Sequence, residues 1–397
     1  MSAPGQAGAP QAAPLAGLWA PTDFPLSITF PATAGVHWTS AGRRMALVVS
    51  ATGGLEHAAS EGQALIEASE LSVGARTLEA GPLLVTPVDV RRDLADGVAE
   101  RWMTALELPL FLWELEAEAG ATVGIEARLA SGWFGTGGSD DGVSWGPSVR
   151  LADAGGRMAL MMCEGVGAAL RSVSSAAAVR VSGKAIGRLR LAVVLAEDAA
   201  DLDRSLQLLT RRGFAGLRAQ RAQHARLLHD YGPSLSTPLP ALDEAFEWAG
   251  IRADEVPAAA SASAEMPRLD AILRAPGELA LSDPAGLIRG VLEELWGAAT
   301  DAERAVLRLA PRLPEGWQRM ALSRLRVGGA TVDCGLSRRA GQATVRLRRR
   351  TGPAVTVTLE LPGLTTTGIL MDGVSLGGSA ARFEAVGEHE IVFDLAD

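Results

Sequence analysis

The chain has 397 residues, 48% of them hydrophobic, which suits two or three domains with real cores and not a disordered polymer. A formal net charge of −9 and a pI near 5.3 argue against nucleic acid or an anionic membrane as the main partner. Cysteine is confined to Cys163 and Cys334, far apart in sequence, which allows a single disulfide but reads better as two lone thiols in a reducing compartment.

The chain opens on an Ala/Gly/Pro-rich stretch, residues 1–20, with no long apolar core and no basic residue before Arg43. It reads as a disordered tail and not as a signal peptide. No uninterrupted apolar run approaches membrane-spanning length. A cytoplasmic protein is the expectation.

Residues 21–196 read as all-β. Period-two alternation recurs between Gly, Pro and Asp turns. Val123, Ile125 and Leu129 alternate with Thr122, Glu126 and Arg128. Leu189, Leu191, Val193 and Leu195 alternate with Arg188 and Arg190. Segment 100–117 is long enough for a hairpin folded near Leu108 and Pro109. Many short strands with turns between them predict an antiparallel sandwich. Glu114, Glu116 and Glu118 sit two apart on one of these strands, and a solvated edge explains them better than paired acid–base work.

Segment 131–146 is a glycine-rich loop carrying Trp133, Phe134 and Trp145, with Asp140 and Asp141 between them. Aromatic rings on such a loop can stack on a sugar's apolar face while the aspartates bond its hydroxyls. The plainer reading is a solvated loop whose tryptophans tuck back onto the sandwich. The spacing of a calcium loop is absent, so Asp140 and Asp141 do not read as a metal site.

Helices take over across residues 197–304. Leu202, Leu206 and Leu209 make one stripe, broken at Gly213; a second helix then runs to Tyr231. His224 and His229 are five apart, which is not the spacing of a helical zinc pair, so no metal site is expected. Pro240 fits the first turn of a helix with a Leu242/Phe246/Ala249 stripe. An Ala/Ser-rich bridge, 256–267, follows. Asp283 and Pro284 then read as N-cap and first helical position. Behind them Leu287, Val291, Leu292, Leu295 and Trp296 form a wide apolar face that must dock on a sandwich, on the Leu242/Phe246 helix or on another chain. An interface role is the expectation carried by that last option.

Residues 305–397 return to strands. Val355, Val357, Leu359 and Leu361 alternate with Thr356, Thr358 and Glu360, and Ile391, Phe393 and Leu395 alternate at the end. A second, smaller antiparallel sandwich is predicted. The basic run 346–350 alternates with Val345 and Leu347, which suits the wet face of a strand better than a phosphate site.

Taken in order, the pieces resemble glycogen-debranching-like (amylo-α-1,6-glucosidase-type) glycoside hydrolases of the six-hairpin class. The resemblance rests on GGLEHAASEGQALIEASELSVG, PVDVRRDL and ERWMTALELPLFLWELEA at the front. TPLPALDEAFEWAGIRAD carries it in the middle, and LIRGVLEELWG with LRLAPRLPEGWQRMALSRLRVGG carries it at the end. It implies a mainly β fold with a helical linker: an N-terminal β-supersandwich, helices, an (α/α)6 catalytic barrel and a small C-terminal β-sandwich. Here only a short helical stub stands where the barrel belongs. Segment 252–283 has no tryptophan, tyrosine or histidine, and its acids are Asp254, Glu255, Glu265, Asp270, Glu278 and Asp283. Glycoside hydrolysis needs two carboxylates held rigidly across the scissile bond, and so plain a bridge carries no catalytic residue over from the family.

The expectation is a non-catalytic relative without a cofactor, binding an α-glucan or oligosaccharide, a second copy of itself or a full-length homologous glycosidase. Two alternatives stand beside it: a carbohydrate-active enzyme, completed by a partner chain or acting as a mutarotase, and a structural or assembly protein.

Overall fold

The computed structural model describes residues 26–396, with breaks at 31, 33–36, 43, 61, 75, 118–120, 139–146, 165–167, 174–177, 186–187, 254–266 and 340. The tail, nearly all of the Ala/Ser-rich bridge, and Glu118 lie outside the described residues. Within them the chain is mostly β, built as four sheets with five α-helices.

Sheet I has nine antiparallel strands. Their order is Ile28–Phe30, Leu83–Val85, Val90–Asp93, Ala99–Thr104, Leu110–Glu116, Arg188–Ala196, Met158–Glu164, Ser148–Ala152 and Phe134–Gly138. Sheet II runs Ala169–Val173, Ala178–Ala185, Ala121–Leu129, Gln63–Val73, Gly54–Ser60, Ala46–Ser50 and His37–Ala41, with Arg76–Leu78 paired to the long strand Gln63–Val73. The predicted hairpin is present, with Trp102 opposite Trp113 and Thr104 opposite Phe111.

The alternation expected for the central strands of sheet I is largely lost. Ala99–Thr104 is buried along its whole length, and Leu110–Glu116 nearly so. The cause is cover on both faces. Trp102, Phe111, Trp113, Leu189 and Val193 join the core shared with sheet II. Met103, Leu110, Leu112, Ala192 and Val194 meet a helix on the opposite side. A strand covered twice has no wet side, so its apolar pattern becomes continuous.

The covering helix is α1 (Ala199–Tyr231). Asp198 caps it, accepting from the Asp201 N–H at 2.8 Å. At Gly213 the backbone leaves helical geometry (φ 62°, ψ 177°), which splits α1 into two limbs at the predicted break. Leu202 and Leu209 pack from the first limb, Phe214 and Leu217 from the second. Two arginines then pin the second limb to sheet I. Arg218 donates to Asp89 at 2.9 Å, and Arg221 donates to the Pro87 carbonyl and to both oxygens of Thr104.

On the other face of sheet I, Arg92 and Glu100 form a fully buried ion pair, with the Arg92 guanidinium 5.8 Å from the Trp102 ring centroid. Burial pushes the Glu100 carboxyl up, against the pull of Arg92. Sheet II reaches this pair with Gly54, whose φ is +72° and whose place leaves no room for a side chain. A Cβ there would meet Arg92 Nη2 at 2.7 Å.

Between the β-regions, α2 (Pro240–Ala253), α3 (Leu269–Arg274), α4 (Pro276–Ser282) and α5 (Pro284–Gly290, continued by one wider turn, Val291–Leu295) pack together. Thr237 and Asp243 bond each other through both side chain and backbone and so start α2. Asp283 caps α5 by accepting from the Gly286 N–H at 2.8 Å, with Pro284 next as predicted. The apolar face expected as an interface is covered inside the chain. Leu287, Val291, Leu295 and Trp296 are fully buried and Leu292 half-buried, in one core with Leu242, Phe246, Trp248 and Ala249 of α2. Of the three docking partners the sequence allowed, the Leu242/Phe246 helix packs on Pro284–Gly290, while the Leu295 and Trp296 carbonyls accept from the N–H groups of Arg312 and Ala310, ahead of the C-terminal strands.

Sheet III orders Ser234–Ser236, Arg319–Val327, Ala330–Arg339, Gln342–Thr351, Glu388–Leu395, Thr366–Met371 and Val374–Leu376. Sheet IV orders Ala299–Asp301, Val306–Leu309, Val355–Leu359 and Ala381–Ala385. One pairing is parallel, Val306–Leu309 with Val355–Leu359. Two three-residue strands, Ser234–Ser236 and Ala299–Asp301, come from the stretch read as helical; they are too short to show a period. Val345 and Leu347 are buried while Arg346 and Arg348 are exposed, the wet-face pattern expected of the basic run.

Gly54→Ala should lower stability by about 2–4 kcal/mol, because it adds both left-handed strain and a clash with an immobile guanidinium. Gly62 has φ +81° with nothing near its would-be Cβ, so Gly62→Ala should cost only about 1 kcal/mol. Trp296→Ala should cost about 3–5 kcal/mol. Urea midpoints measure all three; equal effects at Gly54 and Gly62 would contradict the close approach to Arg92.

Candidate functional site

The aromatic loop leaves one end of the N-terminal sheets, and its two described aromatics part company there. Trp133 is only 5% exposed, and its indole Nε1 donates to the Ala64 carbonyl at 2.9 Å. As a stacking platform it is corrected: the ring belongs to the core, the plainer of the two readings. Phe134, the next residue, begins an edge strand of sheet I and is 53% exposed. Asp140, Asp141 and Trp145 lie outside the described residues.

Beneath Trp133 is a polar hollow lined by Arg44, Ser60, Arg157 and Glu197, with Leu195 and Ala196 ending the central strand. Its volume of about 20 Å³ is room for roughly one water. Its walls are fixed by charge. Both terminal nitrogens of Arg44 donate to Asp201 at 3.1 Å, which ties sheet II to the first turn of α1. Asp153 accepts from Gln63 at 2.6 Å and from the Gly155 and Arg157 N–H groups; these bonds hold its carboxyl below the ordinary value. This end of the sheets is therefore a polar rim held by ion pairs and hydrogen bonds, and among the described residues Phe134 is its exposed aromatic.

The strand carboxylates do not behave as the sequence suggests. Glu114 is buried, with Arg190 at 3.2 Å, Arg188 at 3.7 Å and Arg101 at 3.9 Å. Burial pushes its carboxyl up, opposed by these arginines. A solvated edge is thus corrected to a charge cluster on a central strand. The partners lie on neighbouring strands, where Glu114 faces Arg101 and Arg190 in register. Alternating Arg and Glu on adjacent predicted strands is the signal that could have revealed it.

The acids of the helical layer have structural tasks. Asp270 pairs with Arg274 one turn on, both exposed, and Asp283 is a cap. Glu278 lies on an exposed helix surface, while Asp254, Glu255 and Glu265 are outside the described residues. His229 sits 3.1 Å from Asp230 and 3.7 Å from Glu247 of α2, joining α1 to the layer. Among the described residues no group of three or more His, Cys, Asp or Glu is placed to hold a metal ion. Among them, too, no helix is long and apolar enough to cross a membrane.

No family model matches this chain, and no curated protein matches it. Solved structures do. A protein described as a kojibiose phosphorylase from the human microbiome matches at 7% identity and TM-score 0.36, over 58% of this chain and 35% of its own. A bacterial glucoamylase complexed with acarbose matches at 4% identity and TM-score 0.34, over 57% and 44%. A family GH92 α-mannosidase from Bacteroides thetaiotaomicron matches at 11% identity and TM-score 0.37, over 57% and 39%. The chain thus spans less than half the length of each of these structures.

Cys163 and Cys334 are both free and buried, and burial pushes each thiol up to about 12. Neither is a nucleophile in the folded protein. A chromogenic disulfide reagent at pH 8 should therefore modify essentially no thiol in the native chain and both in concentrated urea. Rapid native labelling of either would contradict their burial.

Proposed function

We propose that the chain is a non-catalytic relative of glycogen-debranching-type glycoside hydrolases that binds α-glucan or a related oligosaccharide. On this reading the N-terminal sheets, residues 21–196, are a β-supersandwich. Residues 197–304 are the linker with a barrel remnant, and residues 305–397 are the C-terminal β-sandwich. The sequence resemblance, running in order from 53–74 to 307–329, supports the family. The observation that carries the loss of catalysis is the closure of α5 onto α2. Where the resemblance places the sugar-cleaving barrel, Leu287, Val291, Leu295 and Trp296 are spent on a packed apolar layer with Phe246 and Trp248. Among the described residues, a layer of that kind offers no opposed pair of carboxylates across an open cleft.

The binding surface in this reading is the rim that carries Phe134; Asp140, Asp141 and Trp145, which follow it in sequence, are the further sugar-contacting candidates. An exposed ring beside fixed polar groups is the chemistry a sugar face requires. A second reading, an assembly role beside a full-length glycosidase or another copy, no longer draws support from the α5 face, since α2 already covers it.

Isothermal titration against maltooligosaccharides and glycogen should give weak saturable binding, reduced several-fold by Phe134→Ala. Silence across that panel would remove the carbohydrate assignment. An aryl α-glucoside incubated with the pure protein should stay intact, and turnover would contradict the non-catalytic reading.

A further inference from the structure

The C-terminal β-sandwich holds a cavity of about 400 Å³ at one open end, between sheet III and the segments that flank sheet IV. That volume lies within the range of small-ligand sites. Its depth is apolar: Leu336, Ala343 and Leu361 are buried there. Leu313 and Leu364 are half-buried on its walls. Pro311 and Pro362 stiffen the two wall segments by fixing φ. The first wall is also tied to the helical layer, since the Arg312 N–H donates to the Leu295 carbonyl at 2.9 Å. The cavity is thus preformed.

Two exposed arginines, Arg312 and Arg338, stand at its mouth. Among the described residues neither guanidinium has a hydrogen-bond or ion-pair partner. Elsewhere on the sheet Arg346 is paired with Glu390 and Arg350 with Asp333, while Arg319, Arg326, Arg339 and Arg348 are exposed like the two at the cavity; what sets Arg312 and Arg338 apart is the apolar cavity they line. Two unpaired cations over an apolar floor, in a chain of net charge −9, form a local site for an anion with an apolar body. A bare, strongly hydrated anion would waste the floor, and a neutral lipid would waste the arginines. Arginine's planar fork fits a carboxylate through two parallel N–H···O bonds.

We propose that this cavity binds a small aliphatic carboxylate, its chain on Leu336, Ala343 and Leu361 and its carboxylate on Arg312 and Arg338. The site is separate from the Phe134 rim, and its fate does not depend on the carbohydrate reading.

Calorimetric titration of the full chain with octanoate tests it, with octanamide as the uncharged equivalent. One-to-one saturable octanoate binding is expected, about tenfold or more tighter than octanamide. The double variant Arg312→Glu/Arg338→Glu changes exposed side chains only, so its near-ultraviolet circular dichroism should be unchanged while octanoate binding is lost. Arg346→Glu, outside the cavity, should keep binding intact. Absence of saturable octanoate binding, equal affinity for octanamide, or unaltered binding by the double variant would overturn the assignment. So would a leucine-ended acidic peptide that binds where octanoate does not, since the site would then serve a protein chain.

Discussion

The structure turns on one requirement: the apolar face of α5 has to be removed from water. Leu287, Val291, Leu295 and Trp296 lie along one side of a helix only two or three turns long. Left exposed, such a patch would mark an interface or an aggregation site. Instead α2, α3 and α4 pack around it, with Leu242, Phe246 and Trp248 of α2 buried in the same core. The consequence reaches past stability. Side chains committed to a dry helical layer are unavailable for a cleft, and among the described carboxylates of the layer Asp243 and Asp283 bond backbone N–H groups at helix starts while Asp270 and Glu247 form ion pairs. The functional reading follows from where that apolar area went.

The same logic governs the N-terminal half. Sheet I lies between sheet II and α1, so Arg92, Glu100, Arg101 and Glu114 on its inner strands are buried by the geometry. An unpaired charge there would cost several kcal/mol. Each buried acid therefore has arginine beside it: Glu100 with Arg92, Glu114 with Arg101, Arg188 and Arg190, and Asp89 with Arg101 and Arg218. These pairs fix register between strands and the seat of α1, a specificity role more than a stabilising one. Arg44 and Asp201 do likewise where α1 begins, and through them the polar rim near Phe134 is held together.

Much of this was legible from residue order. The hairpin about Pro109, the break at Gly213, the Asp283–Pro284 start of α5 and the alternation of Val355, Val357 and Leu359 are local signals, and each follows from backbone chemistry or period. What the sequence hid was non-local. The burial of Glu114 depends on α1 and on two neighbouring strands, none of which its own strand reveals. Trp133 reads as a loop aromatic until Ala64, far away in sequence, supplies the carbonyl that draws its indole inward. The cover for α5 was one option among three, because an apolar stripe states that it needs a partner and not which one. The arginine-rimmed cavity was illegible for the same reason: Arg312, Arg338 and Leu361 belong to three separate segments.

Closure of the helical layer is the account's central claim, and amide hydrogen exchange followed by mass spectrometry measures it directly. Peptides covering Ala245–Ile251 and Leu287–Leu295 should be among the slowest in the chain, exchanging only through global unfolding. Exchange there within seconds under native conditions, while sheets I and III stay protected, would mean that the layer opens and that the apolar face is free for another partner.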